Sequence, residues 1–193
     1  MYLPNIITVS RLFLAPFIIW LIVSENLTGA FIVFLIAGLT DALDGFIARR
    51  FDMLTELGAY LDPIADKALL VSTFVTLGYF NYLPAWLAIT VVSRDVLIIG
   101  AVMLSWLMGR ALEVKPLWIS KLNTVLQITV AILVLAEHGL NLGQHMHIYV
   151  VAAIWITGAT TISSAVLYLV VWLRFMATYD INGRKKTALD EPH

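Results

Sequence analysis

The sequence predicts an all-α polytopic membrane protein with six transmembrane helices. The chain has 193 residues, of which 61% are hydrophobic and 13% are charged, whereas a soluble domain has about 45–50% apolar and about 25% charged residues. Six apolar runs are each long enough to cross a bilayer, which takes roughly 20 helical residues. Short polar segments separate these runs, so little of the chain remains for a separate soluble domain.

The predicted spans follow one another at short intervals. In chain order, they are 5–24, 28–48, 60–79, 84–108, 117–136 and 147–175. No basic segment precedes the first run, and Arg11 lies inside it, so we interpret this run as a retained helix and not as a cleaved signal. We therefore predict a six-helix transmembrane domain over residues 1–176 and a polar cytoplasmic tail over residues 177–193.

Charge predicts the topology. The chain has 12 Lys and Arg residues, and none of them falls in the first, third or fifth connection. By the positive-inside rule, these three connections are external and both termini are cytoplasmic. The net charge of −1 gives no basic surface for nucleic acid, and the absence of cysteine excludes disulfides and thiolate metal sites.

Four aspartates lie close together in the sequence: Asp41, Asp44, Asp62 and Asp66. A carboxylate within a bilayer costs roughly 2.5–3.5 kcal/mol on insertion scales, and four together repel one another unless a cation holds them. Residues three and four apart share a helix face, and a tight turn would bring the two pairs together. We predict a site for one or two hard cations at the cytoplasmic ends of the second and third helices. Two metals about 3.5–4 Å apart can clamp the attacking and leaving oxygens of a phosphoryl displacement.

The residues beside these aspartates allow two interpretations each. Gly45 and Gly58 indicate the close approach of a ligand or, alternatively, tight packing between membrane helices. Arg49 and Lys67 either bind a phosphate oxygen or anchor their helices at the level of the headgroups.

The stretch from Asp41 to Asp66 reads Asp, two residues, Asp-Gly, two residues, Ala-Arg, a spacer, Gly, three residues, Asp, three residues and Asp. This pattern resembles the signature of the CDP-alcohol phosphatidyltransferase family. The fixed positions that match are Asp41, Asp44, Gly45, Ala48, Arg49, Gly58, Asp62 and Asp66. The opening LPNIITVSR is similar to the family's usual start of the first helix, and the resemblance covers nearly the whole chain.

The resemblance implies a role for each matching residue. Asp41, Asp44, Asp62 and Asp66 would ligate two Mg²⁺ or Mn²⁺ ions, and Asp66 would also be the general base for the acceptor hydroxyl. The residues expected to bind the donor, CDP-diacylglycerol, are Asn5, Thr8, Asp44, Gly45, Ala48, Arg49 and Gly58. The resemblance also implies a homodimer. We expect the chain in a bacterial inner membrane, and the positive-inside pattern predicts that the catalytic site of the 1–176 domain faces the cytoplasm.

The acceptor is predicted from later segments. SRDVLIIGAV and ISKLNTVLQ resemble the cardiolipin synthase branch, which transfers the phosphatidyl group to phosphatidylglycerol and forms cardiolipin and CMP. The alternative branch, phosphatidylglycerophosphate synthase, uses glycerol-3-phosphate and tends to carry further cations where this chain has Val102 and Asn123. A phosphomonoester has nearly two negative charges and favours more basic partners, so we favour phosphatidylglycerol.

Three basic residues are candidates for binding the acceptor: Arg94, Lys121 and Arg110. Arg94 lies near the middle of the fourth span, where an arginine faces the bundle interior and pairs with an anion. That anion is either the acceptor phosphate or a carboxylate, such as that of Asp95. Lys121 either binds the acceptor or extends to the membrane interface.

Two other classes of protein use aspartates near a membrane. Membrane prenyltransferases hold a diphosphate through Mg²⁺, but they are longer chains that have two aspartate motifs on separated helices. A divalent-cation transporter is the non-enzymatic alternative, with its acidic site near the bilayer midplane. It leaves the two glycines and Arg49 without a role, so we favour the transferase.

Overall fold

A computed structural model describes the backbone of residues 3–50, 56–108 and 118–182. Side chains are described for residues 13–40, 65–105, 107–108, 118–143 and 146–176. Within these ranges the fold is all-α, as predicted, and contains six helices. They are α1 (Leu3–Val23), α2 (Leu27–Arg50), α3 (Glu56–Tyr79), α4 (Ala85–Leu107), α5 (Trp118–Gly139) and α6 (Gln144–Asn182).

The helices correspond one to one with the predicted spans, but several extend further. α3 begins at Glu56 and not at 60, and α6 ends at Asn182 and not at 175. The backbone hydrogen bonds of a helix do not require apolar side chains, so hydropathy marks the part of a helix that suits a bilayer and not its ends. The predicted boundary at 176 therefore falls inside α6.

Three helices of the described ranges are long and apolar enough to cross a membrane by length and composition: Ala85–Ser105, Trp118–Gly139 and Met146–Met176. Two shorter apolar segments precede them, Phe13–Val23 and Leu27–Thr40. Large apolar side chains cover the outer surface of the bundle, including Phe13, Ile89 and Trp155, which are well exposed. A helix bundle that is apolar outside as well as inside suits a lipid environment.

The core of the bundle lies where all six helices meet. α1 packs against α2 and α3, α5 packs against α2 and α6, and α4 packs against α3 and α6. The largest fully buried apolar side chains are Phe74, Ile18, Ile22, Leu77, Leu83, Leu87, Leu135, Val91, Val130 and Val134. This packing brings α3, α4, α5 and α6 together, which positions the polar residues described below.

Tight turns join the helices into three hairpins, α1–α2, α3–α4 and α5–α6. Each turn contains a residue in the left-handed region: Glu25 at φ 57°, Asn81 at φ 60° and Asn141 at φ 52°. The α1–α2 turn also caps the next helix, because the Gly29 N–H donates to Asn26 Oδ1 over 2.9 Å. These turns coincide with the first, third and fifth connections, which were predicted to be external.

Two glycines allow close approach between elements. A Cβ added at Gly139 would lie 2.7 Å from the carbonyl oxygen of Leu27, and the Thr28 hydroxyl donates to the Gly139 carbonyl. A Cβ at Gly158 would lie 2.6 Å from the Trp86 ring. The end of α5 therefore lies directly against the start of α2, and α6 packs closely on α4.

Candidate active site

The four predicted metal ligands are divided between two helices. Asp41 and Asp44 lie in α2, and Asp62 and Asp66 lie in α3. Only Asp66 has a described side chain. The other predicted donor-binding and metal-binding side chains lie outside the described ones, namely Asn5, Thr8, Asp41, Asp44, Gly45, Ala48, Arg49, Gly58 and Asp62. Among the side chains that are described, no group of three or more His, Asp or Glu is placed to hold a metal, so the predicted ligand set stays a prediction.

Asp66 is half-buried and lines a cavity of about 190 Å³ between α2, α3 and α5. The rest of the lining is mainly apolar: Phe34, Ala37 and Gly38 from α2, Leu69 and Leu70 from α3, and Thr124 and Ile128 from α5. A carboxylate on the wall of an apolar cavity is a suitable proton acceptor for a substrate that displaces water. The cavity therefore makes Asp66 a candidate catalytic group on structural grounds.

The α2 wall of this cavity has spare room. A Cβ added at Gly38 would meet nothing within 4 Å. Asp41 follows Gly38 by three residues in the same helix, and residues at this spacing share a helix face. The backbone thus places the start of the α2 aspartate pair one turn beyond the cavity lined by Asp66.

A buried carboxylate binds two cations beside Asp66. Asp95 of α4 is 5% exposed, and its Oδ1 accepts a hydrogen bond from Arg94 Nη1 over 2.8 Å. The same oxygen forms an ion pair with Lys67 Nζ, and Lys67 is the residue after Asp66 in α3. We call Lys67, Arg94 and Asp95 the Asp95 cluster. The pairing of Arg94 with Asp95, one of the two alternatives predicted for Arg94, is observed, while the bridge to Lys67 was not anticipated.

Arg94 is 3% exposed and reaches two further helices. Its Nη2 donates to the Ser120 hydroxyl of α5 and to the Ser164 hydroxyl of α6 over 3.1 Å. The Tyr168 ring centroid lies 5.7 Å from the guanidinium carbon, within the range of cation–π attraction. The Nε atom has no hydrogen-bond partner among the described residues. Arg94 therefore joins α4, α5 and α6 and keeps one buried donor unused.

A polar stripe on α5 continues from Ser120. Asn123 is fully buried, and its Oδ1 accepts hydrogen bonds from Thr160 over 3.0 Å and from Thr161 over 2.7 Å. Gln127 follows one turn later and is also buried. Within the described part of the chain, the amide nitrogens of Asn123 and Gln127 lack partners. Sequence reasoning noted Asn123 as a missing cation but missed its pairing with α6, although the Thr160-Thr161 pair is visible in the sequence.

The remaining predicted acceptor ligands are placed differently. Lys121 is exposed, and its Nζ lies 5.7 Å from the centroid of the Trp118 ring. This contact with an exposed aromatic fits the interfacial interpretation better than acceptor binding. Arg110 lies outside the described residues. Val102 is 40% exposed on α4, so a cation at that position would face away from a buried cluster.

The opposite end of the bundle has a second group of polar residues. His147 Nδ1 lies 2.8 Å from Glu137 Oε1, and His138 Nδ1 lies 4.0 Å from Glu137 Oε2. These three side chains, with Asn141 and Gly143, line a cavity of about 420 Å³. His147 is 63% exposed.

Comparison with known proteins gives a consistent result. The family model described as CDP-alcohol phosphatidyltransferase matches residues 1–178. Cardiolipin synthase (CMP-forming) of Homo sapiens is 35% identical over 185 residues, which cover 86% of this chain and 60% of that protein. CDP-diacylglycerol--glycerol-3-phosphate 3-phosphatidyltransferase of Bacillus subtilis is 30% identical over 178 residues, which cover 84% of this chain and 90% of that protein.

The relatives differ in how much of their length this chain covers. The chain spans 60% of the length of the human and rat cardiolipin synthases and nearly all of the Bacillus protein. The family match, together with the three apolar helices of the described ranges, identifies an integral membrane protein. Because the family model covers almost the entire sequence, this chain belongs to the CDP-alcohol phosphatidyltransferase family.

Proposed function

We propose that this protein transfers the phosphatidyl group of CDP-diacylglycerol to a hydroxyl of phosphatidylglycerol, giving cardiolipin and CMP. One observation carries this proposal: Asp66 lines an apolar cavity, and the residue after it joins the buried Asp95 cluster. A proton acceptor thus lies next to a cluster in which one carboxylate contacts two basic side chains. This combination suits an acceptor that presents a hydroxyl and a phosphate a few bonds apart.

The reaction forms one bond and breaks one bond at phosphorus. The acceptor oxygen attacks the phosphatidyl phosphorus, and the bond between that phosphorus and the oxygen of CMP breaks. Asp66 accepts the hydroxyl proton as attack proceeds, because an alcohol is a poor nucleophile while it keeps its proton. Direct transfer needs no covalent enzyme intermediate, and the motif from Asp41 to Asp66 contains no Ser, Cys or His.

The donor set suits hard divalent cations. Carboxylate oxygens are the ligands that Mg²⁺ and Mn²⁺ prefer, and Asp41, Asp44, Asp62 and Asp66 would hold two such ions. When bound, they supply positive charge that stabilises the diphosphate and the departing CMP. We assign the CDP part of the donor to Asn5, Thr8, Asp44, Gly45, Ala48, Arg49 and Gly58, as the family signature implies.

The acceptor proposal rests on charge. Asn123 is a neutral residue, and its Oδ1 accepts hydrogen bonds from Thr160 and Thr161. Val102 is also neutral and is exposed on the outside of α4. Fewer cations favour a phosphodiester with one negative charge over a phosphomonoester with nearly two. Glycerol-3-phosphate is the alternative acceptor. It is supported by the Bacillus relative, which is a glycerol-3-phosphate phosphatidyltransferase and is matched over 90% of its length.

The activity is tested with purified protein in lipid nanodiscs, CDP-diacylglycerol, and Mg²⁺ or Mn²⁺. Phosphatidylglycerol, glycerol-3-phosphate, inositol phosphate and serine are offered in turn, and CMP release is measured. We expect release with phosphatidylglycerol and formation of cardiolipin. Release with glycerol-3-phosphate alone would replace the proposed acceptor, and no release with any alcohol would favour a transporter or a prenyltransferase.

The role of Asp66 is tested with Asp66→Asn. This change keeps the shape of the side chain and removes the proton acceptor, so we expect the turnover rate to fall by about 10²–10⁴-fold. Glu137→Gln makes the same chemical change at the other end of the bundle and is the matched control. Equal activities of the two variants would contradict a catalytic role for Asp66.

We also propose that the chain resides as a homodimer in a bacterial inner membrane, with both termini and the active site on the cytoplasmic side. The positive-inside pattern supports this orientation, and residues 177–193 form its polar tail. The absence of cysteine allows a direct test in cells. A membrane-impermeant thiol reagent should label Glu25→Cys in intact cells, but should label Thr55→Cys only after permeabilisation. The reverse pattern would invert the proposed topology.

A further inference from the structure

The cavity lined by Asp66, which we call the Asp66 cavity, extends from the aspartate motif into the apolar part of the bundle. Each of its three walls includes two residues that lie four apart: Phe34 and Gly38 on α2, Asp66 and Leu70 on α3, and Thr124 and Ile128 on α5. Four residues advance a helix by about 6 Å. Leu70 lies on the side of Asp66 that is away from Asp62. The cavity therefore has a carboxylate near the motif and apolar side chains about one turn further from it.

The described lining of the Asp66 cavity offers few hydrogen bonds to a ligand. Apart from Asp66, the only polar side chain in this lining is Thr124, and its hydroxyl donates to the Ser120 carbonyl over 3.1 Å. A polar ligand that entered the apolar end would give up hydrogen bonds to water that this lining does not replace, and such a loss is costly. Hydrocarbon has no such loss and is favoured there. The cavity therefore suits a ligand with a hydroxyl at one end and hydrocarbon at the other.

The size and the opening of the cavity also suit part of a lipid. An apolar cavity of about 150 Å³ can hold benzene, and the Asp66 cavity has about 190 Å³. Gly38 lines this cavity and is also exposed on the outer surface of the bundle, and a Cβ added there would meet nothing within 4 Å. The cavity thus reaches the surface at Gly38, where a hydrocarbon chain longer than the cavity continues into the surrounding lipid.

We propose that the Asp66 cavity binds an acyl segment of the acceptor lipid, and that Gly38 is the specificity-determining residue that keeps this space open. This inference rests on the proposed function, which places the acceptor hydroxyl at Asp66. It adds a reason for the choice of acceptor that is independent of charge. Phosphatidylglycerol carries both a hydroxyl and acyl chains, whereas glycerol-3-phosphate has no hydrocarbon chain to fill the apolar end.

Variants that fill the cavity test this inference. Gly38→Leu adds a side chain from the α2 wall, and Thr124→Phe adds one from the α5 wall. In phosphatidylcholine nanodiscs with CDP-diacylglycerol, kcat/KM is measured for phosphatidylglycerol, for its deacylated form glycerophosphoglycerol, and for glycerol-3-phosphate. The deacylated form keeps the hydroxyl and the singly charged phosphodiester but lacks the acyl chains. We expect kcat/KM for phosphatidylglycerol to fall about tenfold or more, while any turnover of the two soluble acceptors stays within about twofold of the wild type.

A second measurement separates the acceptor from the donor, which also carries acyl chains. The dissociation constant of CDP-diacylglycerol is measured for each variant without any acceptor, and we expect it to stay within about twofold of the wild type. This measurement does not depend on whether the soluble acceptors are used.

Gly100→Leu is the matched control. Gly100 is an exposed glycine of α4, it is not among the residues that line the Asp66 cavity, and a Cβ added there would also meet nothing within 4 Å. This variant should keep kcat/KM for phosphatidylglycerol within about twofold. Thermal unfolding of each variant is followed in the same nanodiscs. If Thr124→Phe fails to fold, Gly38→Ala and Gly38→Leu still form a graded series on the open wall.

The outcomes are distinct. If the wild type uses phosphatidylglycerol and folded Gly38→Leu uses it equally well, the inference on the cavity is overturned and the proposed function stands. Weaker binding of CDP-diacylglycerol by Gly38→Leu would also overturn it, because the cavity would then hold a chain of the donor. An equal loss in Gly100→Leu would show a general effect of added bulk and would overturn it as well. If the wild type releases no CMP with phosphatidylglycerol, the proposed function fails before the variants are compared.

Discussion

The two polar clusters of the bundle contain similar chemistry in different surroundings. In each, one carboxylate faces two basic side chains: Asp95 with Lys67 and Arg94, and Glu137 with His138 and His147. Arg94 is 3% exposed, whereas His147 is 63% exposed. When a buried ion pair loses one partner, the other partner remains as an uncompensated charge in a medium of low dielectric. When the remaining partner is exposed, water solvates its charge instead. Burial therefore decides which cluster the fold depends on.

The largest effect is expected for Asp95→Ala. This variant leaves Arg94 buried without its anionic partner, which costs about 3–5 kcal/mol of the free energy of unfolding for a broken buried pair. Steric trapping in bicelles measures this quantity for membrane proteins. A loss of less than about 1 kcal/mol would show that water or lipid headgroups already reach the Asp95 cluster. The Asp95 cluster and the polar group around Glu137 would then not differ in their importance for the fold.

An intermediate effect is expected at the two glycines near these ends. Gly139→Ala places a Cβ against the Leu27 carbonyl at 2.7 Å, and we expect a destabilisation of about 1–3 kcal/mol from overpacking. Gly38→Ala is the matched control, because its Cβ would enter open space and alanine favours a helix by up to about 1 kcal/mol. The same stability measurement compares them, and equal effects would contradict the close approach of α5 to α2.

The smallest effect is expected for Glu137→Ala. The partners of Glu137 are partly or mostly exposed, so we expect a change in stability of less than about 1 kcal/mol. CMP release should stay within about twofold of the wild type, since this end takes no part in the proposed reaction. A large loss of activity would instead indicate coupling between the two ends of the bundle.

Much of the fold could be predicted because each helix has its own apolar run, but the long-range contacts could not. Hydropathy identifies α4, α5 and α6 separately, and nothing local indicates that Arg94 meets Ser120 and Ser164. The pairing of Arg94 with Asp95 was predicted as one alternative because the residues are adjacent. The bridge to Lys67 depends on the packing of α3 against α4, which spacing along the chain does not specify.

The candidate site follows the same rule. Asp66 was identified from the motif, and the structure adds the cavity that it lines. The assignments of Asp41, Asp44 and Asp62 remain predictions. The sequence left Lys121 with two interpretations, and the contact with Trp118 favours the interfacial one. That contact depends on the helical register at the start of α5. The start of the span as predicted from composition does not specify this register.

The three tight turns have a consequence for biogenesis. Each of them closes a pair of helices that are neighbours along the chain, so each pair can leave the translocon and enter lipid as a preformed unit. Where side chains are described, the first pair contributes no hydrogen-bond partner to Arg94. The partners that are described come from α4, α5 and α6, so the guanidinium acquires them together only when the last two pairs dock. We therefore expect a truncated chain that ends after α4 to be retained by membrane quality control, because its arginine faces lipid.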